Sequence, residues 1–156
     1  MQIKKIVSGG QTGADRAALD WAMAHDVAHE GWCPKGRKAE DGKIAKKYLL
    51  QETPEEEYEV RTEKNVEGSD ATVIMTIGAE LKGGSLATRK FSQQHGKPCL
   101  HLSRDVSRAP GEELKKFVER HETRVLNVAG PRESGEPEIG AFVDEVLTEA
   151  FLIEEA

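Results

Sequence analysis

At 156 residues and 37% hydrophobic, the chain can build one sizeable core and is short for two, so one domain over residues 1–156 is expected. A formal net charge of -6 gives no general attraction to nucleic acid or to an anionic membrane, so any anionic ligand must be held by local groups. Neither a run of about 18 apolar residues nor a secretory leader is present, and Cys33 and Cys99 are too few for a disulfide framework. Reduced, packed thiols and a cytoplasmic home are the expectation.

In chain order, Ile3 to Ser8 reads as a short buried parallel strand. Ser8-Gly9-Gly10-Gln11-Thr12-Gly13-Ala14-Asp15 then joins it to a helical pattern through three glycines and no bulky residue. Glycines let a ligand approach the main chain, and a helix starting near Thr12 would aim free N–H groups and a positive dipole end into the same space. The stretch has the makings of a phosphate cradle in which a side chain at Gly10 would block the ligand's approach. Thr12 and Asp15 also fit a capping box, the favoured reading for those two. Ala14, Ala17, Ala18, Trp21, Ala22 and His25 form a small-residue helix face suited to lying on a sheet.

His29 to Cys33 is a second strand candidate and runs into the polar, glycine-rich stretch Pro34 to Gly42, expected to be an irregular loop. Lys35 and Arg37 there offer cations to an anionic ligand, Arg37 with a bidentate fork, although the loop alone reads as a solvated charged turn. A short apolar patch, Ile44 to Leu50, precedes an acidic run, Glu52 to Glu59, that opens a helix continuing to about Glu67. Ala71 to Ile77 is the clearest strand, and a second glycine-rich loop, Gly78 to Thr88, leads from it into a helix ending near His95. Ser85 and Thr88 suit either a helix cap or a ligand hydrogen bond. The strand Cys99 to Ser103, a helix after Pro110, the strand Arg124 to Ala129 and a periodic helix from Ile139 to Phe151 complete the pattern.

Strands alternating with helices imply an α/β fold, an open, mostly parallel sheet with helices on both faces. In such a sheet the loops after the strands share the carboxyl edge, where ligands bind beside a topological switch point. Gly9-Gly10, the loop from Pro34, Gly83-Gly84 and Gly130-Pro131-Arg132 should therefore converge on one rim. No Walker A loop, complete G-x-G-x-x-G or G-x-S-x-G elbow is present, which argues against an ordinary ATPase, dehydrogenase or α/β-hydrolase. Asp15, Glu40, Asp41, Asp70 and Glu80 are carboxylates expected within reach of the rim. None is singled out as catalytic, and the histidines and cysteines form no metal set.

The motifs from Ser8 to Ala18 and from Gly31 to Gly42, with Asn65-Val66, Ser69 to Thr72, Gly83-Gly84-Ser85, Thr88 and Asn127 to Arg132, resemble those of the molybdenum carrier family over nearly the whole chain. That family is similar to the molybdenum cofactor carrier proteins and to a wider Rossmann-like group containing cytokinin-activating phosphoribohydrolases and DNA-processing proteins. The resemblance implies that Ser8, Gly9, Gly10 and Thr12, with Gly83, Gly84, Ser85 and Thr88, bind the phosphate of a nucleotide-like ligand. Lys35, Arg37 and Arg132 would stand on its charge. The Glu of the phosphoribohydrolase P-G-G-x-G-T-x-x-E motif is missing from Leu81 to Arg89.

Two functions follow as expectations. One is a non-catalytic carrier or storage protein for molybdenum cofactor (molybdopterin), with homo-oligomers and molybdoenzymes as its partners. The other is a nucleotide-handling enzyme of phosphoribohydrolase type, or a nucleotide sensor. Neither needs nucleic acid or a membrane.

Overall fold

The strands alternate inward and outward residues, and this sets the character of each sheet face. The computed structural model describes residues 2–153, so the extreme ends of the expected 1–156 domain lie outside the described residues. Five strands, β1 (Lys5–Val7), β2 (Ala28–Glu30), β3 (Ala71–Thr76), β4 (Cys99–Ser103) and β5 (Val125–Ala129), form one parallel sheet in the order β2-β1-β5-β3-β4. Ala71, Val73 and Met75 of β3 and Leu126 and Val128 of β5 point to an apolar core covered by α1 (Ala14–Ala24), α4 (Pro110–Arg120) and α5 (Ile139–Phe151). The opposite face is polar inside. There α2 (Tyr58–Glu67) and α3 (Gly83–Gln94) bury Thr62, Asn65, Ser85, Thr88 and Ser92, and Asn127 Nδ2 donates to Thr72 Oγ1 at 3.2 Å.

Opening the chain between β2 and β3 and joining its ends would convert the strand order into the doubly wound order 2-1-3-4-5. The switch point of this sheet therefore lies between β3 and β5, at their carboxyl ends. The loops that follow those two strands, together with the β1–α1 loop beside them, form the rim expected from sequence.

Two stretches differ from expectation. The His29 to Cys33 run is not one strand: Gly31, with φ 155°, has Ser8 O 1.9 Å from where a Cβ would be, so the chain turns off the sheet. Trp32–Cys33 instead pairs in parallel with Gln51–Glu52. The Pro34 to Gly42 stretch is more regular than a loop, with a 3-10 turn at Lys35–Arg37 and a hairpin pairing Lys38–Ala39 with Gly42–Lys43. Ile44, Tyr48, Ala39 and Cys33 pack with Leu19 of α1 in a small second core that holds this excursion down. No helix among the described residues is long and apolar enough to cross a membrane.

Candidate functional site

The second glycine loop opens a helix whose first turn has nothing to cap it. Lys82 precedes α3 in extended conformation with no side-chain capping bond, and the N–H groups of Gly83 and Gly84 find no protein acceptor among the described residues. A Cβ at either glycine would meet nothing within 4 Å, so the backbone lies open. Gly83 also has φ +49°, a conformation that favours glycine. These donors and the helix dipole face a cleft of about 220 Å³.

Across the cleft stand Gln11, Asp15 and Arg61. Asp15 is 4% exposed, and its Oδ2 lies 3.2 Å from Arg61 Nη1. Burial pushes its carboxyl above the usual carboxylate value, opposed by the Arg61 guanidinium and the Gln11 backbone N–H. Gln11 Oε1 accepts from the backbone N–H groups of Thr12 and Glu40 at 3.0 and 2.8 Å. Its Nε2 is buried without a partner, as is Arg61 Nε. Buried donors left unpaired are uncommon, and two of them on residues lining one cleft are suited to an anionic or carbonyl-bearing ligand.

The third wall is Gly130, Pro131 and Arg132 from the loop after β5. Arg132 and Arg61 both sit over the Tyr58 ring, 5.1 and 5.6 Å from its centroid, and Lys38 lies 4.6 Å from it. Positive charge from three separate elements therefore gathers beside the cleft in an acidic protein.

Of the residues named from sequence, Gly83, Gly84, Ser85, Thr88 and Arg132 line this cleft together. The first loop contributes differently. Ser8 Oγ donates to Asp15 O at 2.7 Å inside the fold, and Thr12 Oγ1 is bound to Glu40. Gly9 lies behind Arg61, and the space beside Gly10 is filled by Leu50 and Ile44. The loop thus shapes the inner wall and presents Gln11 and Asp15. Lys35 is exposed on the 3-10 turn, and the Arg37 guanidinium donates to the carbonyls of Ile44, Ala45, Tyr48 and Leu50; neither lines the cleft.

Two smaller expectations are corrected. The capping box at Thr12 and Asp15 is not formed, because Gly13 with φ 81° is the cap and Ala14 N donates to Pro131 O instead. Asp70 lies at the amino end of β3, where Oδ2 accepts from the N–H groups of Arg124 and Val125, so it cannot reach the rim. Glu40 and Asp41 are bonded to Ser134 and Arg16. Gln11, Arg61 and Lys82 line the cleft although none was singled out as a binding residue from sequence. For Arg61 the signal was positional: it sits one helical turn before the buried Asn65, an arginine on a sheet-facing stripe.

The fold defines a class, the open doubly wound α/β proteins with a cleft at the switch point. Within it, the sequence model of the circularly permuted YpsA SLOG family matches residues 6–151, and the chain belongs to that family. The strand order is itself that of a circularly permuted doubly wound sheet. A crystal structure described as a putative molybdenum carrier protein from Syntrophus aciditrophicus SB is similar at 46% sequence identity and a TM-score of 0.93, over 96% of each chain. No curated protein matches the chain.

Proposed function

We propose that this protein binds a phosphorylated small molecule in the cleft between α3 and the loops after β1 and β5, and that molybdenum cofactor is the cargo its family likeness favours. The observation that carries the reading is the pair of unpartnered buried donors, Gln11 Nε2 and Arg61 Nε, opposite the uncapped start of α3. A phosphate offers several acceptor oxygens and charge. It suits the N–H groups of Gly83 and Gly84 from one side and Gln11, Arg61, Lys82 and Arg132 from the others. The name of the 46% identical neighbour, a molybdenum carrier, favours molybdenum cofactor over other phosphorylated ligands. Molybdoenzymes as recipients and a homo-oligomeric state belong to the same reading.

Asp15 favours a second reading. A buried carboxyl with a raised pKa beside an anion pocket is what a general acid requires, so a phosphoribohydrolase-type reaction is the alternative. Native mass spectrometry of gently purified protein, followed by chromatography of a panel of nucleoside monophosphates incubated with it, separates the two. A bound cofactor and no free base supports the carrier. Release of base that disappears in Asp15→Asn supports the enzyme, and failure to retain or bind any phosphorylated compound overturns both.

A further inference from the structure

Because α2 runs into β3 and α3 into β4, the two packed helices end side by side at the amino edge of the sheet, opposite the anion cleft. We propose that this end binds one divalent transition-metal ion of the zinc class through Glu63 and Glu67 of α2 and His95, the residue that ends α3. The site is separate from the cleft and independent of the reading above.

Glu63 and Glu67 stand at positions i and i+4, so both carboxylates lie on one side of α2. His95 meets them there. Its Nε2 is 2.8 Å from Glu63 Oε2 and 3.5 Å from Glu67 Oε1, and one donor atom from each of the three side chains falls within 4.8 Å of the other two. A tetrahedral zinc ion with bonds of about 2.0–2.2 Å holds its donors about 3.4 Å apart, a value the observed separations bracket. Water takes the fourth position.

The charge pattern asks for a dication. Like charges at i and i+4 repel, and α2 and α3 direct the negative ends of their dipoles to the same place. An imidazole brings at most one positive charge against two carboxylates, whereas a divalent ion balances both. Neighbouring lysines are turned elsewhere. Lys97 Nζ donates to the carbonyls of Glu67 and Ser69 at 2.6 and 2.7 Å, and Lys64 Nζ stands 4.9 Å from the centroid of the Trp32 ring. The donor set also selects: an imidazole beside carboxylates suits zinc, cobalt or nickel, while magnesium and calcium favour oxygen donors in greater number. The set escapes a reading of residue order because His95 lies 32 residues beyond Glu63 and reaches it only across the packing of α2 on α3.

The test is calorimetric titration of untagged, chelator-treated protein with zinc chloride and with magnesium chloride, alongside the absorption spectrum of the cobalt(II) complex. Zinc should bind at one ion per chain and raise the melting temperature, with magnesium about tenfold or more weaker. His95→Gln and Glu63→Gln should each lower zinc affinity by about tenfold or more. Without metal both variants should melt within about 3 °C of the parent, since an exposed ion pair contributes little. The cobalt complex should show d–d bands and no thiolate charge-transfer band. Zinc affinity unchanged in His95→Gln, a thiolate band that puts the metal on Cys33 or Cys99, or no saturable zinc binding would overturn the proposal, and none of these results touches the anion reading.

Discussion

Arg61 on α2 holds Asp15 of α1 at 3.2 Å, and the pair closes only because residue 9 is glycine, since a Cβ there would lie 1.9 Å from Arg61 Nη1. One guanidinium nitrogen is thereby turned inward, while Nε stays buried without a partner. The first glycine loop thus positions a cation through a carboxylate, where sequence alone suggested direct contact between its backbone and a phosphate.

Removing the cation should therefore expose the buried carboxylate. Arg61→Ala is expected to cost about 3 kcal/mol near neutral pH, because an uncompensated charge remains in the interior. The sign of its pH dependence follows from Asp15, whose folded-state value already lies above 3.8. The native protein binds that proton more tightly than the unfolded chain, so stability falls as pH rises from 3.8 through the raised value. Loss of Arg61 raises it further, and the variant's deficit in urea midpoint should be larger at about pH 7.5 than at about pH 5. Equal deficits would mean that Arg61 does not neutralise Asp15.

Two glycine substitutions should separate architecture from binding. Gly9→Ala drives a methyl into Arg61 and should cost about 1–3 kcal/mol. Gly84→Ala meets open space inside the first turn of α3, so the melting temperature should hold or rise, while the methyl obstructs the cleft and weakens phosphate binding by about tenfold or more. Thermal melts paired with titrations decide it, and intact binding in Gly84→Ala would speak against contact with the α3 backbone.

Arg37 should behave as a staple. Its guanidinium ties four carbonyls of residues 44–50, so Arg37→Ala should lower stability by about 2 kcal/mol and leave ligand affinity within about twofold. A large loss of affinity without loss of stability would return Arg37 to the binding site.

Glu40 latches the hairpin at residues 38–43 to the loop after β5. Ser134 donates to it at 2.5 Å, Thr12 also bonds it, and these partners hold its carboxyl below the usual value of 4.5. The latch is complete above 4.5 and is lost as pH falls through the lowered value. In Glu40→Gln, amide exchange should quicken across residues 38–43 and at Ser134 but not in β3. Unchanged exchange would show that the hairpin is held by Ile44 and Tyr48 alone.

The parallel sheet was legible because Ala71 to Ile77 and the Ile139 to Phe151 stripe carry strong period signals, and strand–helix alternation leaves few topologies. Gly83, Gly84 and Arg132 were legible because they follow strands. Arg61 was not, because its role depends on a contact with Asp15 that spans 46 residues and on a missing side chain at Gly9. Lys35 and Arg37 are the opposite case: the stretch itself reads as a solvated charged turn and only the resemblance put its cations on a ligand, whereas its arginine binds backbone carbonyls that the sequence does not reveal.

The most direct test is chemical-shift mapping during titration with neopterin monophosphate, following the backbone amides of residues 83–85, the side-chain NH2 of Gln11 and the Nε–H of Arg61. Saturable shifts at these groups, with a common dissociation constant and none at Gly10, are the expected result. Binding that leaves the Gln11 and Arg61 signals unmoved, or that moves amides away from the carboxyl ends of β3 and β5, would contradict the placement of the anion in this cleft.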